Sequence, residues 1–236
     1  MSRNARVAVN VGSEVVLYRV ADGIAWITIN RPESLNAVNL AVHEGLRACF
    51  AAAGADESVK VVILTGAGKS FSAGGDVKAI AAGEEVGHPL PLALAIWELQ
   101  KPVIAAVRGY VLGQGFELAA VCDLTVAAED AQFGEVEVRR GWGPPIFITP
   151  FVMGLKAAKE FMLTGELIDA ATALRLGVVN RVVPGDELEA AAEKLARSIA
   201  AVPQRAVRHN KELINQAYEF RGLRLAFDLQ TQPPAD

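Results

Sequence analysis

Short apolar runs rich in β-branched residues punctuate the first half of the chain. Residues 15–20 and 24–29 form two such runs on either side of Ala21-Asp22-Gly23, and an Asp-Gly pair between apolar runs predicts a β-hairpin. Residues 60–65 and 103–107 are further runs with few polar side chains, which is typical of strands buried on both faces of a sheet. The pattern therefore predicts one hairpin and two interior strands.

Helical spacing of apolar residues follows the hairpin and dominates the second half of the chain. Asn39 precedes residues 40–53, where apolar side chains recur at helical spacing, so we predict a helix capped by Asn39. Further helices are predicted over residues 92–100, 149–162, 169–176, 187–202 and 205–220. Short strand-like pieces at residues 178–179 and 182–183 interrupt this helical half.

Two strand–glycine–helix junctions stand out from this pattern. After the strand at residues 103–107, Gly113-Gln114-Gly115 forms a turn into a buried helix predicted over residues 116–121. Residues 71–78 (FSAGGDVK) repeat the arrangement, with Asp76 near the amino end of a short helical segment. The first N–H groups of a helix are unpaired and lie at its positive dipole end. Together the two junctions can supply two N–H donors to one developing oxyanion.

The composition is that of a folded protein with a sizeable core. The chain has 236 residues, 52% of them hydrophobic, which suffices for one large domain or two small ones. The net charge of −4 argues against a general nucleic-acid binder. No segment approaches the roughly 20 apolar residues of a membrane span, and the amino terminus lacks an apolar signal core. Because Cys49 and Cys122 lack metal or redox spacing, we interpret both as reduced core residues and expect a cytoplasmic protein.

No Ser/Gly linker and no block of charge marks a domain boundary in the sequence. Strands and helices alternate in the early half, whereas the later half is mostly helical. We therefore predict one α/β structural unit, with a core over residues 1–175 and a helical carboxy-terminal extension over residues 176–236.

Two glutamates follow the second junction and are candidate acid–base groups. Glu117 is surrounded by apolar neighbours such as Phe116, which favours a buried, functional carboxylate over one on a solvated helix face. Glu137 lies in residues 135–138 (EVEV), a segment that by itself predicts a solvated strand edge. Asp123 is interpreted as a structural hydrogen-bonding group.

Four motifs in sequence order resemble those of the crotonase (enoyl-CoA hydratase/isomerase) superfamily. They are Asn30-Arg31-Pro32 with Asn36-Ala37, residues 71–78, residues 101–123, and Ala131-Gln132-Phe133-Gly134 with Glu137. The resemblance runs from about residue 15 to residue 227. It implies a spiral of repeated ββα units, usually assembled as a homotrimer or a hexamer, with the carboxy-terminal extension as the trimerisation region.

The resemblance also implies a coenzyme A thioester substrate held against an oxyanion hole. Its two backbone N–H donors fall on Gly75 and Gln114, and a glutamine can serve where the family generally has glycine because the donor is the backbone. Glu117 and Glu137 fall on the positions of the two glutamates that serve the family's hydratases as acid and base, and the resemblance does not say which residue has which role. The same motifs place substrate-binding residues at Ala73, Gly75, Asp76, Val77, Lys78, Gln114 and Trp142. We expect no metal and no separate cofactor, because coenzyme A is part of the substrate.

The leading hypothesis is a lyase that adds water to a 2-enoyl-CoA thioester through a stabilised enolate. An enoyl-CoA isomerase that shuttles a proton with one glutamate is the alternative, and decarboxylases and carbon–carbon hydrolases of the family share these loops. A non-catalytic member with the same fold is less favoured, because the glutamate pair is intact. The expected partner is an acyl-CoA thioester, with no nucleic-acid or membrane partner.

Three departures from the family pattern bear on the substrate and the assembly. Ser34 stands where many relatives carry a basic residue near the cofactor phosphates. Residues 142–147 (WGPPIF) replace the usual proline-glycine and double-glycine passage, so the resemblance leaves the acyl group open. The sequence ends at Asp236, before the family's usual last helix, which is consistent with a trimmed chain, a weaker coenzyme A site or altered assembly.

Overall fold

The computed structural model describes residues 13–228, and its elements follow the apolar pattern of the chain. Its strands are β1 (Val16–Ala21), β2 (Ile24–Ile29), β3 (Val61–Gly66), β4 (Val103–Val107), β5 (Tyr110–Leu112), β6 (Leu124–Ala128), β7 (Gln132–Gly134), β8 (Ile168–Asp169) and β9 (Arg181–Val183). Its helices are α1 (Leu40–Ala55), α2 (Val77–Ala81), α3 (Pro89–Trp97), α4 (Gln114–Val121), α5 (Thr149–Val152), α6 (Leu155–Thr164), α7 (Ala170–Arg175), α8 (Leu188–Ala200), α9 (Gln204–Phe220) and α10 (Leu223–Asp228). The mixed α/β prediction is confirmed.

The main sheet has the strand order β1-β2-β3-β4-β6-β9. β1 and β2 are antiparallel and joined at Asp22 and Gly23, which both have positive φ, as a tight hairpin turn requires. The other neighbours pair in parallel, and β3 and β4 lie in the middle with nearly every residue buried. The predicted hairpin and the two predicted interior strands are therefore confirmed.

A second, three-stranded sheet with the order β5-β7-β8 lies beside the main one. Its strands have only two or three residues each, too few for alternation to reveal them in the sequence. The parallel pairing of β5 with β7 matches Leu112 with Gly134, and Gly113 N–H donates to the Gly134 carbonyl at 2.7 Å. This small sheet thus brings the start of α4 next to the segment that follows β7.

The helices cover both faces of the main sheet. α1, α3 and α4 contribute apolar side chains to the larger core on one face, and α8 covers the other face through Leu188, Ala192 and Ala196. The predicted cap of α1 is confirmed, because the Asn39 side chain accepts from Val42 N–H at 3.1 Å. No helix within residues 13–228 is long and apolar enough to cross a bilayer.

The prediction of one helix over residues 149–162 is wrong. The structure has α5 and α6 instead, separated by Met153 and Gly154, whose backbones are extended with ψ of 163° and 152°. Apolar spacing continues across this break, so periodicity alone did not reveal it. Gly154 favours a break at this point, because a glycine loses more conformational entropy in a helix than other residues do.

The predicted carboxy-terminal extension contributes more than helices to the described fold. Its β9 adds an edge strand to the main sheet, and its α8 packs on that sheet. Residues 178–179, predicted as strand-like, are not in a strand, whereas the piece at 182–183 lies in β9. The division at residue 175 remains a prediction, and residues 229–236 lie outside the described part of the chain.

Candidate active site

A cavity of about 590 Å³ opens where the two glycine junctions meet. Its wall includes several predicted site residues, namely Ala73, Gly75, Val77, Gln114, Glu137 and Trp142. The remaining wall is mostly apolar. It includes Val38 before α1, Ile80 on α2, Val86 in the loop before α3, and Val136, Arg140 and Pro145 on either side of Glu137. An apolar cavity with a few convergent polar groups is typical of a site for a small-molecule substrate.

The first junction exposes a backbone donor at Gly75. Gly74 has φ of +95°, and a Cβ there would lie 2.8 Å from the Leu112 carbonyl oxygen, so only glycine fits without displacement. Ser72 Oγ accepts from Gly74 N–H at 3.2 Å and donates to the Asn36 carbonyl at 2.8 Å, which fixes the turn. Among residues 13–228, Gly75 N–H has no hydrogen-bond acceptor. It is therefore available to an oxygen atom in the cavity.

The second junction places Gln114 at the first position of α4. Gly113 precedes it with φ of +50°, and a Cβ on Gly113 would overlap the Glu137 carboxyl group. The Gln114 backbone N–H faces that carboxyl group and contributes to lowering its pKa. The predicted second oxyanion donor thus lies beside the predicted acid–base residue in the same wall.

The Gln114 side chain is held by His43, a residue that sequence reasoning did not assign to the site. Gln114 Nε2 and His43 Nε2 are 2.8 Å apart, and both side chains are buried. Burial, then the charges of His88 and Arg47, lower the pKa of His43 to about 4, so the imidazole is neutral at pH 7. Its only sequence signal was its place among the apolar positions of α1.

Glu117 is fully buried on the inner side of α4, as its apolar neighbours predicted. Its Oε1 accepts from Ile146 N–H at 2.9 Å, so the unusual passage after Glu137 supplies the main-chain donor. Burial raises the pKa of Glu117 well above its ordinary value, and the nearby charges of Glu135 and Glu137 raise it further. Glu117 is not among the residues that line the cavity.

Glu137 lies on a 3-10 helix, Val136–Arg140, and the solvated strand edge predicted for this segment is wrong. β7 ends at Gly134, and Gly141 closes the short helix with φ of +77° while Trp142 N–H donates to the Glu137 carbonyl at 3.1 Å. Burial raises the pKa of the Glu137 carboxyl, against lowering contributions from backbone N–H groups, Glu135 and Arg140. The turn therefore directs a half-buried carboxyl group into the cavity wall.

Glu135 is a third buried acid that sequence reasoning missed. Its exposed fraction is 2%, and its Oε1 accepts from Thr149 Oγ1 at 2.6 Å. Burial raises its pKa well above the ordinary value, and the charge of Glu137 raises it further. The sequence pattern had grouped Glu135 with solvated residues, and only the fold shows that Thr149 covers it.

Two predicted substrate-binding residues do not line the cavity. The Asp76 carboxylate caps α2 by accepting from Ala79 N–H at 3.2 Å and pairs with Arg31 at 2.9 Å. Lys78 lies on the exposed side of α2. Asp76 thus has a structural partner at both oxygens, and contact of Lys78 with the substrate remains a prediction.

The structural interpretation of Asp123 is confirmed. Its Oδ2 accepts from Val103 N–H at 2.7 Å and pairs with Lys211 at 2.8 Å. These contacts tie the start of β4 to α9, away from the cavity.

Comparison with known proteins gives concordant matches over nearly the whole chain. The family model described as enoyl-CoA hydratase/isomerase matches residues 19–232. A probable enoyl-CoA hydratase of Rhizobium meliloti is 37% identical over 214 residues, covering 88% of this chain and 83% of the relative. A crotonyl-CoA hydratase of Syntrophomonas wolfei is 36% identical over 216 residues, covering 87% and 83%.

Solved structures agree with the sequence comparisons. The crystal structure of an enoyl-CoA hydratase/isomerase from Xanthobacter autotrophicus Py2 superposes with a TM-score of 0.87 at 39% identity. The match covers 92% of this chain and 86% of that chain. The fold implied by the resemblance, a crotonase-like α/β spiral with carboxy-terminal helices, is therefore confirmed.

Proposed function

The chain belongs to the enoyl-CoA hydratase/isomerase family, and from that premise we propose that it is a lyase that hydrates the double bond of a 2-enoyl-CoA thioester. One observation carries the proposal. The carboxyl group of Glu137 lies in the cavity wall against the Gln114 N–H, with the buried Glu117 behind it. Acid–base groups and an oxyanion donor therefore converge at one place.

The reaction itself explains why these groups belong together. Water adds at the β-carbon, and negative charge moves to the thioester oxygen as an enolate. Gly75 N–H and Gln114 N–H, from the two junctions, are the proposed donors to that oxygen. A donor of this kind is typically worth about 3–4 kcal/mol in the transition state.

The surroundings of Glu117 and Glu137 favour different protonation states, which suggests different roles. Burial raises the pKa of Glu117 well above its ordinary value, which favours its protonated form. Burial also raises the pKa of Glu137, but there backbone N–H groups, Glu135 and Arg140 oppose the shift and favour the ionised form. Glu137, in the cavity wall, then accepts a proton from the attacking water, and Glu117 supplies the proton for the α-carbon, which requires the bound substrate to reach past the wall to Glu117. The pair gains one proton and loses one, so the cycle closes after the proton returns from Glu137 to Glu117.

An enoyl-CoA isomerase is the second candidate, and one observation favours it. Glu117 does not line the cavity, whereas Glu137 does. A single carboxyl group in the wall is sufficient to move a proton between two carbons of the substrate. Turnover of a 3-enoyl-CoA that survives Glu117→Gln but is lost in Glu137→Gln would identify this activity.

The direct test is hydration of crotonyl-CoA, followed by the loss of conjugated-thioester absorbance. We expect Glu117→Gln and Glu137→Gln each to reduce kcat by about 10²–10⁴-fold, because each removes one proton-transfer group. Glu129→Gln, an exposed glutamate outside the cavity, is the matched control and should keep wild-type activity. Full activity in both active-site variants would refute the mechanism.

The remaining parts of the proposal concern the substrate, assembly and location. The partner is an acyl-CoA thioester, and the proposal includes no metal and no separate cofactor. Assembly as a homotrimer or hexamer is supported by the exposed apolar side chains of α9 and α10, among them Phe220, which is 92% exposed. A cytoplasmic location is supported by two buried cysteines, Cys49 and Cys122, that form no disulfide.

A further inference from the structure

Three carboxyl groups lie together in the site, although the proposed reaction uses only two. Glu117 and Glu135 are buried and Glu137 is half-buried, and the Oε2 atom of each is shielded from solvent. None of these three oxygens accepts a hydrogen bond from the described residues. Unpartnered buried polar atoms are costly, and three neighbouring carboxylates cannot all ionise. The cluster therefore contains protons, and their placement needs an explanation.

One carboxyl oxygen of Glu135 accepts a hydrogen bond, and the other accepts none within residues 13–228 and can carry a proton. Thr149 Oγ1 donates to Oε1 at 2.6 Å, which occupies that oxygen as an acceptor. Oε2 is buried, and the side chains of Glu135 and Glu137 are close enough to interact directly. A proton on Glu135 would let this carboxyl group donate a hydrogen bond to Glu137, which two carboxylates cannot form with each other.

We propose that Glu135 is a positioning residue for Glu137, because its protonated Oε2 donates a hydrogen bond that fixes the Glu137 carboxylate in the cavity wall. The inference rests on the proposed function, since it assigns Glu137 as the base for water. Glu135 does not line the cavity and acts only through its neighbour.

The charged groups around the pair agree with this assignment. Burial opposes ionisation of Glu135, and the charge of Glu137 opposes it further. Glu117 on α4 is the other neighbouring acid. Arg140 favours ionisation of Glu137, the least buried of the three acids. The hydrogen bond between the pair raises the pKa of Glu135 and lowers that of Glu137. Both effects favour a neutral donor at Glu135 and an ionised acceptor at Glu137.

The test compares two substitutions of similar size at the same position. Glu135→Gln keeps an N–H donor but cannot ionise, whereas Glu135→Met keeps the volume and removes the donor. The pH dependence of kcat for crotonyl-CoA hydration reports the pKa of the base on its acidic limb. Infrared titration of the carboxylic-acid band reports the same ionisation without substrate, and thermal unfolding shows whether each variant is folded.

The expected result is a difference between the two variants. The acidic limb should stay near its wild-type position in Glu135→Gln and move up by roughly one to two pH units in Glu135→Met, because a hydrogen bond to a charged group is lost. Thr149→Val, which removes only the donor to Oε1, should move it up less.

Two results would overturn the inference. If Glu135 is ionised in the wild type, both substitutions remove a negative charge. The acidic limb of the kcat profile then moves to lower pH in both variants. If Glu135 has only a structural role, stability falls while the limb stays in place. Failure of the wild type to hydrate crotonyl-CoA would reject the proposed function instead, and the infrared titration would still decide the role of Glu135.

Discussion

At the scale of single residues, the site depends on contacts that join distant parts of the sequence. Glu117 was predicted as a buried acid from its own neighbours, because they are apolar on every side. Glu135 and His43 were missed, because the groups that define them are Thr149 and Gln114, which lie far away in sequence. Local pattern reveals burial within one element, whereas the partner of a polar atom is decided by the fold.

A proline substitution tests the role of the Gln114 backbone N–H separately from the role of the side chain. Gln114 is the first residue of α4, where proline is tolerated because that N–H has no helical partner. We expect Gln114→Pro to fold and to lose about 10²–10³-fold in kcat for hydration, because it deletes the proposed donor to the enolate oxygen. Gln114→Ala keeps the N–H and is the control. Equal activities of the two variants would reject Gln114 as an oxyanion donor.

The buried acids also predict how stability depends on pH. A carboxyl group whose pKa is raised on folding contributes its full stability below the unfolded-state pKa of about 4.3, and that contribution is lost as pH rises toward the folded value. The pKa of Glu117 is raised in this way, chiefly by burial. The free energy of unfolding should therefore fall less steeply above about pH 5 in Glu117→Gln than in the wild type. Urea unfolding over a series of pH values measures this, and identical slopes would contradict a protonated Glu117.

At the scale of elements, long periodic segments were predictable and short ones were not. The interior strands β3 and β4 and the helices α1, α8 and α9 follow directly from apolar spacing. The strands β5, β7 and β8 are shorter than one period of reliable alternation, and the 3-10 turn carrying Glu137 has no simple sequence signature. These unpredicted short elements position the catalytic candidates.

The glycine turn before α2 gives a prediction at this scale. In Gly74→Ala, the positive φ and the approach to the Leu112 carbonyl should cost about 1–3 kcal/mol of stability and displace Gly75 N–H, so hydration should also fall. Gly185→Ala is the control, because its φ is not positive and a Cβ there has open space. Urea unfolding and the crotonyl-CoA assay measure both effects. Wild-type values for Gly74→Ala would show that this turn does not constrain the donor.

At the scale of the whole molecule, the fold class followed from the sequence more readily than the substrate does. The alternation of strands and helices predicted an α/β unit, and the four motifs predicted its family. The passage at residues 142–147 departs from the family pattern, yet Ile146 within it binds Glu117 and Trp142 lines the cavity. The departure therefore affects the environment of Glu117 as well as the cavity wall, whereas motif comparison alone had pointed only to the acyl group.

The central claim is that this protein adds water to a 2-enoyl-CoA rather than moving its double bond. The most direct measurement is mass spectrometry of the product formed from crotonyl-CoA in water enriched in oxygen-18. We predict a 3-hydroxyacyl-CoA that carries the heavy oxygen on its new hydroxyl group, formed by the wild type and not by Glu137→Gln. An isomer of the substrate without the label, or no product at all, would contradict the claim.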